Sequence, residues 1–387
     1  MLRVLTLSTL FPDISRPNFG VSVEQQVLAF AQRGDVDVQV VAPIGLMPGP
    51  LASRPHHAAL RALPPSELWK GVMVHRPRFT VVPGAPWLSP LMLRRALAPL
   101  LRRLHREFPF DLIDAQFFFP DGPAAVPLAR KLGVPCSIKA RGADIDRWAK
   151  GGITRRQIVR AAARADGLLA ASASLRDAMG ATGIDPARIR LHHMGVDLAR
   201  FAPADRAAAK AAIGFSPGPL IVSLGTLIPR KGQALVIDAL ADIPGAQLML
   251  VGEGRDRAAL QDRAERLGVG ARVHFMGNRA HDELPSLLAA ADVMVLPSAS
   301  EGLANAWVES LACGTPIVIA DVGAAQEVVK APAAGRIVAR SPDAIAGAVR
   351  ELIANPPDQA AVRRFAERFN RDASSDTLFA HLSAIKR

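Results

Sequence analysis

Short apolar runs recur along the chain, separated by longer amphipathic stretches. The first is Leu2-Arg3-Val4-Leu5-Thr6-Leu7. Others follow at Val36 to Ala42, Val72 to His75, Leu112 to Ala115, Pro135 to Lys139 and Gly167 to Ala171, with Ile189 to His192 a further candidate. The rhythm restarts at Pro219 to Leu224. It continues through Gln247 to Val251, Val273 to Met276, Val293 to Leu296, Pro316 to Ala320 and Arg336 to Ala339. Buried strands alternating with helices predict parallel sheets wrapped in helices, and the restart predicts two of them. The join falls in the Pro- and Gly-containing stretch from Gly195 to Pro219. The pattern places a first domain at residues 1–197, completed by a C-terminal helix at about 370–387, and a second at 198–369. Doubly wound sheets bind ligands beyond the carboxyl ends of their strands. Two such domains facing each other therefore predict a site in a central cleft.

Composition narrows the partners. The 387 residues are half apolar, enough for two cores, and carry a net charge of +12. That balance favours anionic partners: nucleic acid, an anionic membrane or phosphorylated substrates. The basic residues are spread through helices, aromatics are few and Tyr is absent, which argues against stacking on single-stranded nucleic acid. Two isolated cysteines, Cys136 and Cys313, argue against a disulfide framework and fit a reducing compartment. His192-His193 alone does not make a zinc site, and no Asp-x-Asp stretch is assigned as a metal site. The chain opens on a strand with no signal-peptide pattern, and no apolar run is long enough to span a bilayer. The expected location is the cytoplasm, including the cytosolic face of a membrane.

The most informative stretch is Pro297 to Glu309. A buried strand, Ala291 to Leu296, leads through small polar residues and Gly302 into a helix that carries Glu309 and stops at Gly314. Strand, loop and helix in that order set a helix N-terminus at the carboxyl edge of the sheet, where anions bind. Glu301 and Glu309 lie eight residues apart, a rise of roughly 12 Å on a helix. Glycosidase carboxylate pairs sit at about 5–9.5 Å. Two separate contacts to one long ligand fit better: sugar hydroxyls at each carboxylate, with a phosphate on the amides of Gly302, Leu303, Ala304 and Asn305. The alternative is solvated helix surface.

Four further stretches carry candidate chemistry. Leu224-Gly225-Thr226-Leu227-Ile228-Pro229-Arg230-Lys231-Gly232 follows the first strand of the second half, and its adjacent cations suit a diphosphate. The alternative there is a surface loop. In Leu250-Val251-Gly252-Glu253-Gly254 the glycines need do no more than tighten a turn. In Ala140-Arg141-Gly142-Ala143-Asp144-Ile145-Asp146, Arg141 is a candidate to stabilise developing negative charge, with Asp144 holding it; the alternative is a structural salt bridge. Leu93 to Arg106 is amphipathic: Leu93, Leu97, Leu100, Leu101 and Leu104 form one face and Arg95, Arg102 and Arg106 the other. Pro99 is expected to kink this helix or start it. Such a stripe packs on its own sheet, lies on an anionic membrane, or does both.

Taken together, Glu301 with Glu309, the Gly225…Arg230-Lys231-Gly232 loop, Leu250 to Gly254, Phe275-Met276-Gly277 and Gly195-Val196-Asp197…Phe201…Pro203 resemble glycosyltransferase family 4 over nearly the whole chain. Phe119-Pro120-Asp121-Gly122 and Ala140 to Ile145 look closest to bacterial members that build exopolysaccharide, including exosortase-associated ones. The resemblance implies a GT-B fold and a retaining, nucleotide-sugar-dependent transferase. Glu309 would then bind the ribose, Glu301 the donor sugar, and the backbone of Gly302 to Asn305 the donor's sugar and phosphates. Arg230 and Lys231 would neutralise the diphosphate beside Gly225, and the turn at Gly277-Asn278 would frame the base. Gly20 would let backbone approach the reaction centre, on the acceptor side with Asp144. Three positions depart from the family's usual pattern: Thr226 in place of Arg, Arg141 in place of His, and Met194 in place of Asn. No metal or other cofactor is expected. The expected partners are a nucleotide sugar, a saccharide or lipid-linked acceptor and an anionic membrane surface, and no nucleic acid. The competing functions are a nucleotide-sugar epimerase and a non-catalytic nucleotide-sugar-binding subunit.

Overall fold

The computed structural model describes residues 1–49 and 55–386, so the final residue of the expected C-terminal helix, Arg387, lies outside the described part. The chain divides into two compact units. One is Met1–Gly195 together with the segment from Asp372 onward, and the other is Val196–Arg371.

The first unit contains β1 (Leu2–Leu7), β2 (Val36–Val41), β3 (Ile44–Leu46), β4 (Ser66–Trp69), β5 (Val72–His75), β6 (Arg78–Thr80), β7 (Leu112–Ala115), β8 (Cys136–Ala140), β9 (Gly167–Ala170) and β10 (Ile189–Leu191). Eight of these form one sheet in the order β10-β9-β8-β7-β1-β2-β5-β4, parallel except for β4, which is antiparallel to β5. The central strands β7, β8 and β9 are buried along their whole length, as parallel strands covered on both faces must be. The β3 and β6 strands pair separately. The Ser89–Glu107 helix turns Leu93, Leu97, Leu101 and Leu104 into the core and leaves Arg95, Arg102 and Arg106 exposed. It is one helix with Pro99 inside it on the exposed side, and it does not start there. The C-terminal Arg371–Ile385 helix sets Leu378 and Leu382 against Leu2 and Val4 of β1.

The second unit is a six-stranded parallel sheet ordered β13-β12-β11-β14-β15-β16. Its strands are β11 (Leu220–Leu224), β12 (Gln247–Val251), β13 (Val273–Gly277), β14 (Val293–Leu296), β15 (Ile317–Ala320) and β16 (Gly335–Val338). The chain order reverses at β11/β14, the kind of switch point where loops part at the carboxyl edge. The loops after β11 and β14, with Arg230, Lys231 and Glu301, lie there.

Candidate active site

In the second unit, three glycine-bearing loops continue past the strand ends as a ladder. Gly225 donates its N–H to Val251 O (2.9 Å), Leu227 to Glu253 O (3.0 Å) and Gly252 to Gly277 O (2.8 Å). A Cβ on Gly252 would lie 2.2 Å from Gly225 O, and one on Gly254 2.1 Å from Leu227 O. These glycines therefore let the chain's own loops touch. The neighbouring loop is fixed in the same way. Gly232, in a left-handed conformation (φ 79°), packs on Pro297, and Ala299 donates to Arg230 O at 2.7 Å.

This docking brings the Arg230-Lys231 loop onto the Glu301 loop. Glu301 Oε1 pairs with Lys231 Nζ and lies 3.3 Å from the Arg230 guanidinium, which also donates to Ser300 O. The Lys231 side chain is 14% exposed and Arg230 45%, so the lysine is the more buried of the two cations. Lys231 lies over Gly225, where an added Cβ would come 3.6 Å from its Cε. The Glu301 turn is braced from behind: Gly323 (φ 54°) leaves no room for a Cβ, which would fall 2.1 Å from Glu301 O, and Ala324 donates to Gly302 O at 3.0 Å.

The Asn305–Ala312 helix begins after Ala304, which has no side chain to cap it. Leu303 and Ala304 are buried, while Gly302 and Asn305 are half-buried. One turn into this helix Glu309 is 5% exposed, and its Oε1 lies 2.9 Å from His281 Nε2. Its other oxygen has no hydrogen-bond partner among the described residues. His281 also packs on Phe201, with ring centroids 5.2 Å apart. No spacing rule singled out His281, because it lies 28 residues from Glu309 and on another loop. Gly277 (φ 69°) ends β13, and Asn278 beside it is exposed.

In the first unit, Arg141 and Asp144 share one loop but not the contact expected of them. Asp144 accepts from the backbone N–H groups of Phe118 (2.8 Å), Arg141 (3.1 Å) and Gly142 (2.9 Å). The left-handed Gly142 (φ 123°) wraps the chain around the carboxylate, so Asp144 clamps the backbone. It neither holds the guanidinium nor forms a salt bridge with it. The guanidinium is positioned by Gln116 O (2.9 Å), Gln26 Oε1 (2.9 Å), the Gln116 side chain and Met194 Sδ (3.0 Å). Beneath it Lys139 is buried against Gln26 (2.9 Å), His192 (2.6 Å) and the same Met194 sulfur. Burial and the neighbouring Arg141 charge push Lys139 well below the ordinary lysine range. Burial lowers Arg141 only to about 10, so the arginine keeps the charge at neutral pH. Gly20 (φ 74°) starts the Val21–Ala31 helix. Its missing Cβ makes room for the Leu10–Phe11 backbone, 2.5 Å from where that atom would be. The same helix supplies Gln26. The Asp144-Ile145-Asp146 stretch has Asp-x-Asp spacing, but Asp144 is committed to amides. Among the described residues no group of three His, Cys, Asp or Glu side chains could hold a metal ion.

Two Rossmann-like units with these loops define a GT-B fold, and comparison with known proteins agrees. The family described as Glycosyltransferase Family 4 matches residues 20–200, and Glycosyl transferases group 1 matches residues 205–369. Anabaena HepE in complex with UDP superimposes with a TM-score of 0.76 at 21% identity, covering 99% of this chain and 100% of that one. Sucrose-phosphate synthase from Thermosynechococcus elongatus gives 0.77 at 21% identity, covering 99% of each chain. The D-inositol 3-phosphate glycosyltransferase of Mycobacterium tuberculosis is 36% identical over 219 residues, which is 53% of this chain and 45% of that protein. The match thus spans about half the length of that relative. The chain belongs to glycosyltransferase family 4.

Proposed function

We propose that the chain transfers a sugar from a nucleoside diphosphate sugar to an acceptor hydroxyl with retention of configuration. The observation that carries this reading is the meeting of Arg230, Lys231 and Glu301 beside an uncapped helix start. Two adjacent cations, one more buried and one more exposed, suit the two phosphates. The free amides at Gly302 to Asn305 and the positive end of the helix dipole add donors. Glu309, oriented by His281, offers its second oxygen to the ribose hydroxyls. Glu301 accepts from the donor sugar, and Gly277-Asn278 frames the base.

In this scheme the bond from the anomeric carbon to the diphosphate breaks. Charge grows on the leaving oxygen, where Arg230, Lys231 and the helix start stabilise it most in the transition state. That oxygen takes the proton of the acceptor hydroxyl as the new bond forms on the same face of the sugar. No protein carboxylate acts as nucleophile, and charge neutralisation is assigned to these side chains rather than to a metal ion. Arg141 is the fixed cation of the acceptor-side unit. HepE was crystallised with UDP and with UDP-glucose, so UDP-glucose is the first donor to test. The proposed acceptor is a saccharide or lipid-linked saccharide of bacterial polysaccharide synthesis. The exposed Arg95, Arg102 and Arg106 would hold the first unit at an anionic membrane surface. No helix among the described residues is long and apolar enough to cross a membrane.

A thermal-shift screen of UDP-, GDP-, ADP- and dTDP-sugars tests the donor assignment, since a ligand of the folded state raises the melting temperature by mass action. One nucleotide series is expected to stabilise the protein. Absence of any shift at millimolar ligand would overturn the assignment.

A further inference from the structure

The first unit has a recess built from helices, and none of its lining residues belongs to the Arg141 loop. The Asp121–Leu132 helix lies between the Ser89–Glu107 and Gly152–Arg164 helices. Its sequence, Asp-Gly-Pro-Ala-Ala-Val-Pro-Leu-Ala, is made mostly of small side chains, so it sits low between two helices with long ones. The result is a trough of about 390 Å³ with Pro123, Val126 and Pro127 as its floor and Leu91 and Ala161 on its walls. Small-molecule sites span roughly 300–1,000 Å³, so the trough takes part of one molecule.

Its rim is cationic. Arg94 comes from one wall, and Arg160 and Arg164 from the other. All three are exposed, and no carboxylate pairs with any of them among the described residues. Gln157 adds a polar atom: its amide nitrogen donates to Trp87 O at 3.0 Å, while its Oε1 is buried without a partner among the described residues. Ile153, Gln157, Arg160 and Arg164 follow helical spacing and share one face. That face begins in exposed apolar surface, with Ile153 52% and Trp87 41% exposed. An apolar floor, an unpaired arginine rim, a buried acceptor and an exposed Trp at one end match an amphiphile with an anionic, hydroxyl-bearing head.

We propose that this trough binds a single anionic phospholipid. Its phosphate would lie among Arg94, Arg160 and Arg164, a headgroup hydroxyl would donate to Gln157, and the start of an acyl chain would cover Pro123, Val126 and Pro127. The inference rests on the membrane-facing reading of this unit and replaces diffuse attraction with a defined site.

Calorimetry with dihexanoyl phosphatidylglycerol below its micellar concentration tests it. The account predicts one lipid per chain. The triple change Arg94→Gln, Arg160→Gln and Arg164→Gln should weaken binding on the order of a hundredfold. The charge-matched change Arg95→Gln, Arg102→Gln and Arg106→Gln, outside the trough, should shift it by less than about threefold, because distant exposed charges are screened. No saturable binding, or equal loss in both triple variants, would overturn the site. Glycerol phosphate binding as tightly as the lipid would overturn it too, by showing a phosphate site without an acyl component. Sedimentation with phosphatidylglycerol vesicles separates the two readings. Salt-sensitive vesicle binding without one-to-one lipid binding leaves the membrane reading standing and removes the trough. One-to-one binding without vesicle binding does the reverse.

Discussion

At the scale of residues, the candidate site rests on a few contacts whose loss has a defined sign. Glu309→Gln turns a charged acceptor into a neutral one, so nucleotide affinity measured by calorimetry should fall by about 1–3 kcal/mol. Unchanged affinity would remove Glu309 from the site. Asp121 supplies a second prediction. It is fully buried, accepts from the Thr9 N–H at 3.0 Å, and leaves Oδ1 without a partner among the described residues. Burial raises it from 3.8 to about 7. The folded chain therefore keeps a proton that the unfolded chain has lost above pH 4. This contribution to stability is full below that pH and is lost as pH rises through 7. Asp121→Asn cannot ionise, so its stability relative to the natural protein should grow by roughly 3 kcal/mol between pH 5 and 8. His381, pushed down to about 4, works in the opposite direction but cancels in the difference. A pH-independent gap in denaturant titrations would contradict the assignment. Arg230, Lys231 and Glu301 were each legible in the sequence as candidates in loops that follow strands, but their pairing was not, since the two loops lie about 70 residues apart and meet only in the fold. His281 was not, since its partner arrives through the fold. The role of Asp144 was misjudged because only the left-handed Gly142 shows that three amides converge on it.

At the scale of elements, apolar residues located every strand of five residues or more, continuous in strands such as β11 and alternating with Asp37 and Gln39 in β2, because parallel strands covered by helices carry mostly apolar side chains. The sequence reading missed β3, β4 and β6. They are three or four residues long, and β4 is a half-polar edge strand, so neither length nor alternation marks it. Pro99 was expected to kink the helix or start it, and the helix does not start there: four buried leucines on one face outweigh the single backbone hydrogen bond that the proline removes. The glycine loops read as weak signals for the opposite reason: their function is contact between loops, which no single loop displays. Gly323→Ala tests that contact. The new Cβ would collide with the carbonyl of Glu301 at a backbone angle that disfavours alanine, a strain of about 1–3 kcal/mol. Donor affinity should fall by tenfold or more at about that strain, and the melting temperature of the unliganded protein should fall little if the Glu301 loop moves to relieve the clash. A large melting-temperature loss with unchanged donor affinity would show that the brace serves the core.

At the scale of the whole molecule, a chain with a net charge of +12 presents cations in two distinct settings. One is the compensated cluster on Glu301, and the other is the group of Arg94, Arg160 and Arg164 on helices of the first unit, which have no carboxylate partner among the described residues. The two-sheet organisation was legible because the strand–helix rhythm restarts after Gly195. The trough was not, because it arises from three helices distant in sequence and from the small side chains of the middle one. The central claim is that Arg230 and Lys231 bind the diphosphate of a nucleotide sugar. It is tested most directly by calorimetric titration of the best-stabilising nucleotide sugar into the natural protein and into the double variant Arg230→Ala, Lys231→Ala. The account predicts saturable one-to-one binding that weakens by about 3–5 kcal/mol in a double variant that remains folded. Equal affinity in both proteins would contradict it, and would require the diphosphate to be held elsewhere.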